Sequence, residues 1–192
     1  MDQQIQNAIK ILQNGGVGIF PTDTVYGIGC RLDSIEGLKR LFKMRNRPEE
    51  KAVLAVVNSV EMAKKYVTIS DEVHTKLIAK YWPGGLTIVL PCNTKKVPSL
   101  ARGGGNTLGI RQTNHPILLA LIKGFGVPLV APSANFAGEP TPKKFTDISK
   151  DLINVVDFVI DLPSGGAMSS TVIDCSVNPW KILRTGAVQV EL

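Results

Sequence analysis

The chain is poor in the residues that build covalent or metal frameworks. Its three cysteines, Cys30, Cys92 and Cys175, are an odd number with no C-x-x-C pair, which argues against a disulfide scaffold and for a reducing compartment. Two histidines, His74 and His115, make a zinc site an unfavoured reading. Long apolar runs are missing too: the most hydrophobic stretch, Pro116 to Ile122, is broken by Lys123, Gly124, Gly126 and Pro128, far short of the ~20 residues a spanning helix needs. No membrane partner is expected. The polar, acidic start Met1-Asp2-Gln3-Gln4 lacks a secretory pattern, so a cytoplasmic location is expected. No G-x-x-x-x-G-K-[ST] occurs, and Gly27-Ile28-Gly29 lacks the third glycine, which disfavours Walker and Rossmann nucleotide sites. Without G-x-S-x-G, or a serine or cysteine partner for either histidine, an enzyme of this sequence must rely on substrates that bring their own nucleophile.

What is present describes a globular α/β chain. The 192 residues are 44% hydrophobic and 20% charged, enough to bury about two-thirds of the unfolded surface. The net charge of +6 favours anionic partners, nucleotide phosphates or RNA, without choosing between them. Ile5, Ala8, Ile9 and Leu12 recur at helical spacing before a short apolar strand from Val17 to Phe20. Ser34 caps a second predicted helix with Ile35, Leu38, Leu41 and Phe42 on one face and a Glu36–Arg40 pair outside it. Ala52 to Val57 reads as a buried strand, and Ser59 and Ser70 as caps of two further helices. Strands are expected at Leu86 to Leu90, Thr107 to Arg111, Val127 to Ala131, Phe158 to Asp161, Thr171 to Cys175 and Ile182 to Arg184. His115-Pro116 opens a helix that Gly124 closes. Some connections are too short for crossover helices, so the sheet should be mixed. No repeat or linker divides residues 1–192, which are read as a single domain.

Several apolar strands end in hydroxyls or a cation: Phe20 leads to Thr22 and Thr24, Ile110 to Arg111, Val130 to Ser133 and Asn135, and Leu183 to Arg184. Open α/β sheets converge such ends on a ligand, although turn chemistry accounts for hydroxyls equally well. Arg45-Asn46-Arg47-Pro48-Glu49-Glu50-Lys51 is the densest set of cations, suited to phosphate or carboxylate oxygens, or else to a solvated loop paired with its own glutamates. Cys30 reads better as a small core residue than as a reactive thiol.

The segment Pro21-Thr22-Asp23-Thr24-Val25-Tyr26-Gly27-Ile28-Gly29 resembles the YrdC family, the threonylcarbamoyl-AMP synthases. The resemblance continues through Arg45 to Lys51, Trp82-Pro83-Gly84-Gly85-Leu86-Thr87, Gly109-Ile110-Arg111, Pro132-Ser133-Ala134-Asn135, Ser170 to Asp174 and Ile182 to Gly186. It implies a twisted α/β sheet with a cation-lined concave face. It also implies an enzyme that joins L-threonine, bicarbonate and ATP into threonylcarbamoyl-adenylate and pyrophosphate, with magnesium carried by the nucleotide and no metal site of its own. A separate transferase complex then modifies tRNA with the product.

Carried over by motif, Thr24, Arg111 and Ser170 would contact threonine, with Tyr26 shaping that pocket. Arg45, Arg47, Lys51, Thr107, Ser133, Asn135, Thr141 and Arg184 would contact ATP or the adenylate, with Arg47 and Lys51 catalytic. Arg45 stands where the family usually has lysine, Ala52 and Gly85 where it usually has proline, and Val56 where some members have histidine. The extra domain of longer members is missing, so the short form is expected. The competing readings are a non-catalytic module for double-stranded RNA or tRNA, and a paralogue handling carbamoyl-adenylate for another acceptor, as related modules do in hydrogenase maturation.

Overall fold

Alternating apolar side chains sort the chain onto the two faces of one nine-stranded sheet. The computed structural model describes residues 2–166 and 168–191. Helix α1 (Asp2–Gln13) presents Ala8, Ile9 and Leu12 to the core and leads into β1 (Gly18–Phe20). β2 (Gly27–Arg31) returns antiparallel to β1. The sequence predicts no strand there, because glycine weakens strand patterns. Yet Gly29 is what lets β2 pack: a Cβ on it would lie 1.6 Å from the carbonyl oxygen of Val130.

Helix α2 (Ile35–Met44) is capped by Ser34, whose Oγ accepts from the N–H of Gly37 at 3.0 Å. Two expectations fail here. Ile35 is 57% exposed, outside the buried stripe of Leu38, Leu41 and Phe42, and lines a solvent-open hollow with Pro98 and Leu100. Arg40 forks onto both oxygens of Asp157, at 2.8 and 2.9 Å, rather than pairing with Glu36; a planar bidentate match outweighs a single exposed contact along the helix.

β3 (Leu54–Val57) and α3 (Val60–Lys64) follow, then α4 (Asp71–Val73), a π-turn over His74–Ile78 and α5 (Ala79–Tyr81); Ser59 and Ser70 cap α3 and α4 as expected. β4 (Leu86–Pro91), β5 (Thr107–Gln112), α6 (Pro116–Phe125) and β6 (Leu129–Val130) carry the middle of the chain. Gly124 does not close α6. It lies inside the helix against Ile9 of α1, where a Cβ would come within 2.4 Å of Ile9 Cδ1, and Gly126 closes the helix at φ 76°. A short α7 (Lys150–Val155), which the sequence does not announce, precedes β7 (Phe158–Val159), β8 (Thr171–Asp174) and β9 (Lys181–Arg184).

The strand order is β7-β1-β2-β6-β3-β5-β4-β8-β9. Pairs β1/β7, β3/β5 and β4/β8 are parallel and the other pairs antiparallel, so the sheet is mixed, as expected. Ile28, Ala55, Val57, Leu86, Ile88, Leu108, Ile110 and Ile173 face one core with α2, α3, α4, the π-turn and α7. Phe20, Val56 and Leu129 face the other way, under α1 and α6. Those two helices cover only part of their face. Among the described residues no helix is long and apolar enough to cross a membrane.

Candidate active site

The uncovered part of that second face carries the site. Cross-strand register pairs Leu129 with Val56 and Val56 with Arg111, and on neighbouring strands Thr87 with Val172 and Val172 with Arg184. Up to Val56 this row is apolar and belongs to the core under α1 and α6; from Arg111 onward it carries Arg111, Thr87 and Arg184, which lie outside that core. The next row runs Leu54, Gly109, Val89, Asp174, and Gly109 leaves its floor without a side chain.

Over this surface Arg45, Arg47, Arg111 and Arg184 converge with Thr24, Ser133, Ser169 and Ser170 on a polar cavity of about 120 Å³, walled on its apolar side by Val25, Leu54, Ala131 and Pro132. That is smaller than the ~300–1,000 Å³ of a site enclosing a whole ligand. It can enclose reacting groups only, with the bulk of a larger ligand lying along the open sheet. The larger hollows, of about 430 to 470 Å³, gather no comparable set of arginines; one of them shares Arg47 with the cavity.

Each guanidinium is aimed by its backbone contacts. Arg45 donates through Nε to the carbonyl of Asn135 at 2.9 Å. Arg47 donates to the carbonyls of Lys51 and Ala52 at 3.0 and 2.5 Å, closing the loop that holds it. Arg184 donates from Nε and Nη2 to the Ser170 carbonyl at 3.0 and 2.8 Å and from Nη2 to Ser170 Oγ at 3.2 Å. Ser170 Oγ in turn meets Thr87 Oγ1 at 2.8 Å.

Arg111, 2% exposed, differs: its Nη1 donates to Asp23 Oδ2, and Asp23 Oδ1 accepts from Thr113 Oγ1 at 2.6 Å. Arg45 Nη1 and Arg111 Nε are buried without a partner among the described residues. Unpaired buried donors are costly, and a ligand oxygen would satisfy them.

The charges press on one another. Burial and the neighbouring Arg47 push Arg45 down to about 10. Burial lowers Arg47, and burial with the nearby Arg111 lowers Arg184. Arg111 is lowered by burial against the opposing pull of Asp23. Like charges held this close favour an anion between them.

Of the residues singled out from sequence, Thr24, Arg45, Arg47, Arg111, Ser133, Ser170 and Arg184 line the cavity. Asn135 supports it: its amide oxygen accepts from Ser133 Oγ at 2.5 Å and its nitrogen donates to the Glu139 carbonyl at 2.8 Å. Thr141 stands beside the wall, its Oγ1 accepting from Ser169 Oγ at 3.5 Å. Thr107 lies four residues down β5 from Arg111, on the same side of the strand beyond Gly109. Lys51 is exposed and is not among the lining residues; its backbone carbonyl is the one that accepts from Arg47 Nε. Tyr26 is not on the cavity wall: it lies in the core behind it, its hydroxyl donating to the Leu162 carbonyl at 2.7 Å. Cys30 is a core residue, and burial with nearby Asp33 pushes its thiol up to about 12, which leaves it inert.

Residues 10–186 match the family model of Sua5, YciO and YrdC, described as telomere recombination. The chain belongs to the Sua5/YciO/YrdC family. It is 32% identical over 191 residues to the threonylcarbamoyl-AMP synthase of Bacillus subtilis, covering 99% of this chain and 55% of that protein. With the protein of the same name from Xanthomonas campestris the identity is 34% over 184 residues, covering 94% of each. The structure of P. abyssi Sua5 complexed with L-threonine superposes with a TM-score of 0.89 at 32% identity, over 97% of this chain and 55% of that one. The chain thus spans about half the length of the first of these relatives and of Sua5.

The cavity of this Sua5/YciO/YrdC chain is lined by cations and hydroxyls and by no carboxylate. Among the described residues no three His, Cys, Asp or Glu side chains cluster, and guanidiniums and hydroxyls are poor donors for a bare divalent cation. The residues present do not fit a protein-held magnesium ion. Sequence reasoning missed Asp23, Thr113 and Thr87 as parts of this site. Asp23 stands inside the family segment, and Thr113 follows Arg111 by two, the strand period; nothing in the spacing ties Asp23 to Arg111, 88 residues away.

Proposed function

We propose that this chain makes threonylcarbamoyl-adenylate and pyrophosphate from L-threonine, bicarbonate and ATP, as a nucleotidyltransferase supplying a separate complex that modifies tRNA. The observation that supports this best is the pair of orphaned nitrogens, Arg45 Nη1 and Arg111 Nε, on side chains lining one cavity that no carboxylate lines. The relatives named threonylcarbamoyl-AMP synthase, and Sua5 in complex with L-threonine, agree with it. The reaction belongs in the cytoplasm, where its substrates are.

No protein nucleophile is required. The α-ammonium of threonine loses a proton, and the amine so formed condenses with bicarbonate, making a nitrogen–carbon bond as water leaves. A carbamate oxygen then attacks the α-phosphorus, and the α–β bridging bond breaks with its electron pair going to pyrophosphate. In this reading Arg111, Thr24 and Ser170 hold the amino acid, with Tyr26 bracing the wall behind. Arg45, Arg47, Lys51, Ser133 and Arg184 neutralise the phosphates, Asn135 and Thr141 set the wall beside Ser133 and Ser169, and Thr107 takes the distal part of the nucleotide along β5.

The protein's main task is to bring two mutually repelling anions together and to stabilise the charge that moves between them, with Arg47 and Lys51 closest to that task. Magnesium would arrive on the nucleotide as part of the substrate. Pyrophosphate release is the test: it should require ATP, threonine and bicarbonate together. Release that ignores omission of threonine, or RNA binding with no turnover, would overturn the proposal.

A further inference from the structure

We propose that Asp23 is a positioning residue that sets the amino-acid half of the site by holding Arg111 in one orientation. This rests on the reading of Arg111 as the threonine-carboxylate ligand. Asp23 is the carboxylate in contact with Arg111, and both its oxygens are engaged, one by Arg111 Nη1 and the other by Thr113 Oγ1 at 2.6 Å. Thr113 Oγ1 also accepts from the backbone N–H of His115 at 3.0 Å, and His115 is the residue from which α6 starts. A relay of short contacts therefore fixes the Arg111 guanidinium relative to the first turn of a buried helix.

With Nη1 committed to Asp23, and at 3.4 Å to the Gly84 carbonyl, the Nε–Nη2 edge has no protein partner among the described residues. That edge matches a carboxylate in the two-point geometry guanidinium favours. The other three arginines of the cavity have the opposite arrangement. Arg45, Arg47 and Arg184 each commit Nε to a backbone carbonyl, and among the described residues their Nη1 atoms make no hydrogen bond. They reach toward a ligand end-on, which suits phosphate oxygens arriving from several directions, whereas Arg111 offers one flat edge. Asp23 is what makes it differ. Its loop is well placed to hold it still: Gly165 N–H donates to the Thr22 carbonyl at 2.7 Å, and Thr24 N–H donates to Thr22 Oγ1 at 3.0 Å.

An Asn at position 23 keeps the shape but cannot accept from both Arg111 and Thr113, since its amide nitrogen only donates. The test is steady-state pyrophosphate release by the wild type, Asp23→Asn and Thr113→Val, with threonine and ATP varied separately and melting temperature recorded. In Asp23→Asn the threonine KM should rise about tenfold or more while the ATP KM stays within about twofold, because one contact of a buried charge pair is lost on the amino-acid side alone. Thr113→Val, which leaves the charge pair in place, should move the threonine KM in the same direction by less, and it carries the test should Asp23→Asn not fold.

An unchanged threonine KM, or both KM values moving together with the melting temperature, would overturn the proposal and leave the enzymatic reading standing. Wild-type protein that releases no pyrophosphate in response to threonine would bring down the enzymatic reading and this inference with it.

Discussion

Two halves of one sheet face carry opposite chemistry. Under α1 and α6, Phe20, Val56 and Leu129 are fully buried in a dry core with Leu118 and Leu121. Across the register from Val56, Arg111 begins a half in which Ser170 and Arg184 line a polar cavity and buried Thr87 hydrogen-bonds Ser170 Oγ. The two halves lie on neighbouring strands of one sheet, joined where β3 pairs with β5; what changes is whether a helix covers the face. Where helices cover it, burial rewards apolar side chains. Where they do not, the sheet becomes a rigid floor on which guanidiniums can be crowded, at a cost in mutual repulsion that a bound anion removes. The two halves should therefore respond differently to substitution, the covered half in stability and the open half in activity.

The largest expected effect lies in the covered half. Leu118→Ala should cost about 2–5 kcal/mol of stability, read in thermal or urea unfolding, while the protein that remains folded turns over normally. Arg47→Ala should reverse the pattern: a loss of roughly 3 kcal/mol in transition-state stabilisation, a hundredfold or more in pyrophosphate release, with a melting temperature close to wild type. Comparable losses of stability and rate in both variants would erase the distinction between the halves.

Gly109→Val tests the floor itself. A Cβ at Gly109 makes only ordinary contact, 3.4 Å from Thr87 Cγ2, so the strand should tolerate it. The added methyls should still weaken ATP binding by roughly 1–3 kcal/mol, the usual cost of overfilling a fitted contact. Unchanged ATP affinity would place the nucleotide elsewhere.

The smallest effect belongs to a pair outside both halves, Arg40 with Asp157. Burial alone would raise the Asp157 carboxyl, but the Arg40 fork and the N–H of Val17 hold it below its ordinary value of 3.8. A carboxyl lowered in the folded state stabilises above its unfolded value and loses that contribution as pH falls through the folded one. Arg40→Leu should therefore be less stable than wild type at neutral pH by at most about 1 kcal/mol, since the pair is partly exposed. The gap should close below about pH 4 in acid unfolding curves; a gap that persists at pH 2 would assign the effect to packing.

How much of this could be read beforehand follows the range of the interactions. Arg111, Ser133 and Arg184 are visible because each ends an apolar strand, and a strand end is a local signal. The caps Ser34, Ser59 and Ser70 are local in the same way and stand where the sequence puts them. The Arg111–Asp23 and Arg40–Asp157 pairs join residues 88 and 117 positions apart, and no periodicity encodes which carboxylate a given arginine will meet. β2 escapes because Gly27 and Gly29 remove the side chains a strand pattern is read from, although a neighbouring backbone requires their absence at Gly29. Gly124 misleads for a related reason: a glycine near the end of a helix looks like a stop, and this one makes room for Ile9.

The most direct measurement is the mass of the nucleotide formed when the protein is incubated with ATP, threonine and carbon-13 bicarbonate. Synthesis of threonylcarbamoyl-adenylate predicts an adenylate carrying both the threonine mass and the label, absent when threonine is left out. AMP or ADP alone, or an adenylate without the label, would contradict it.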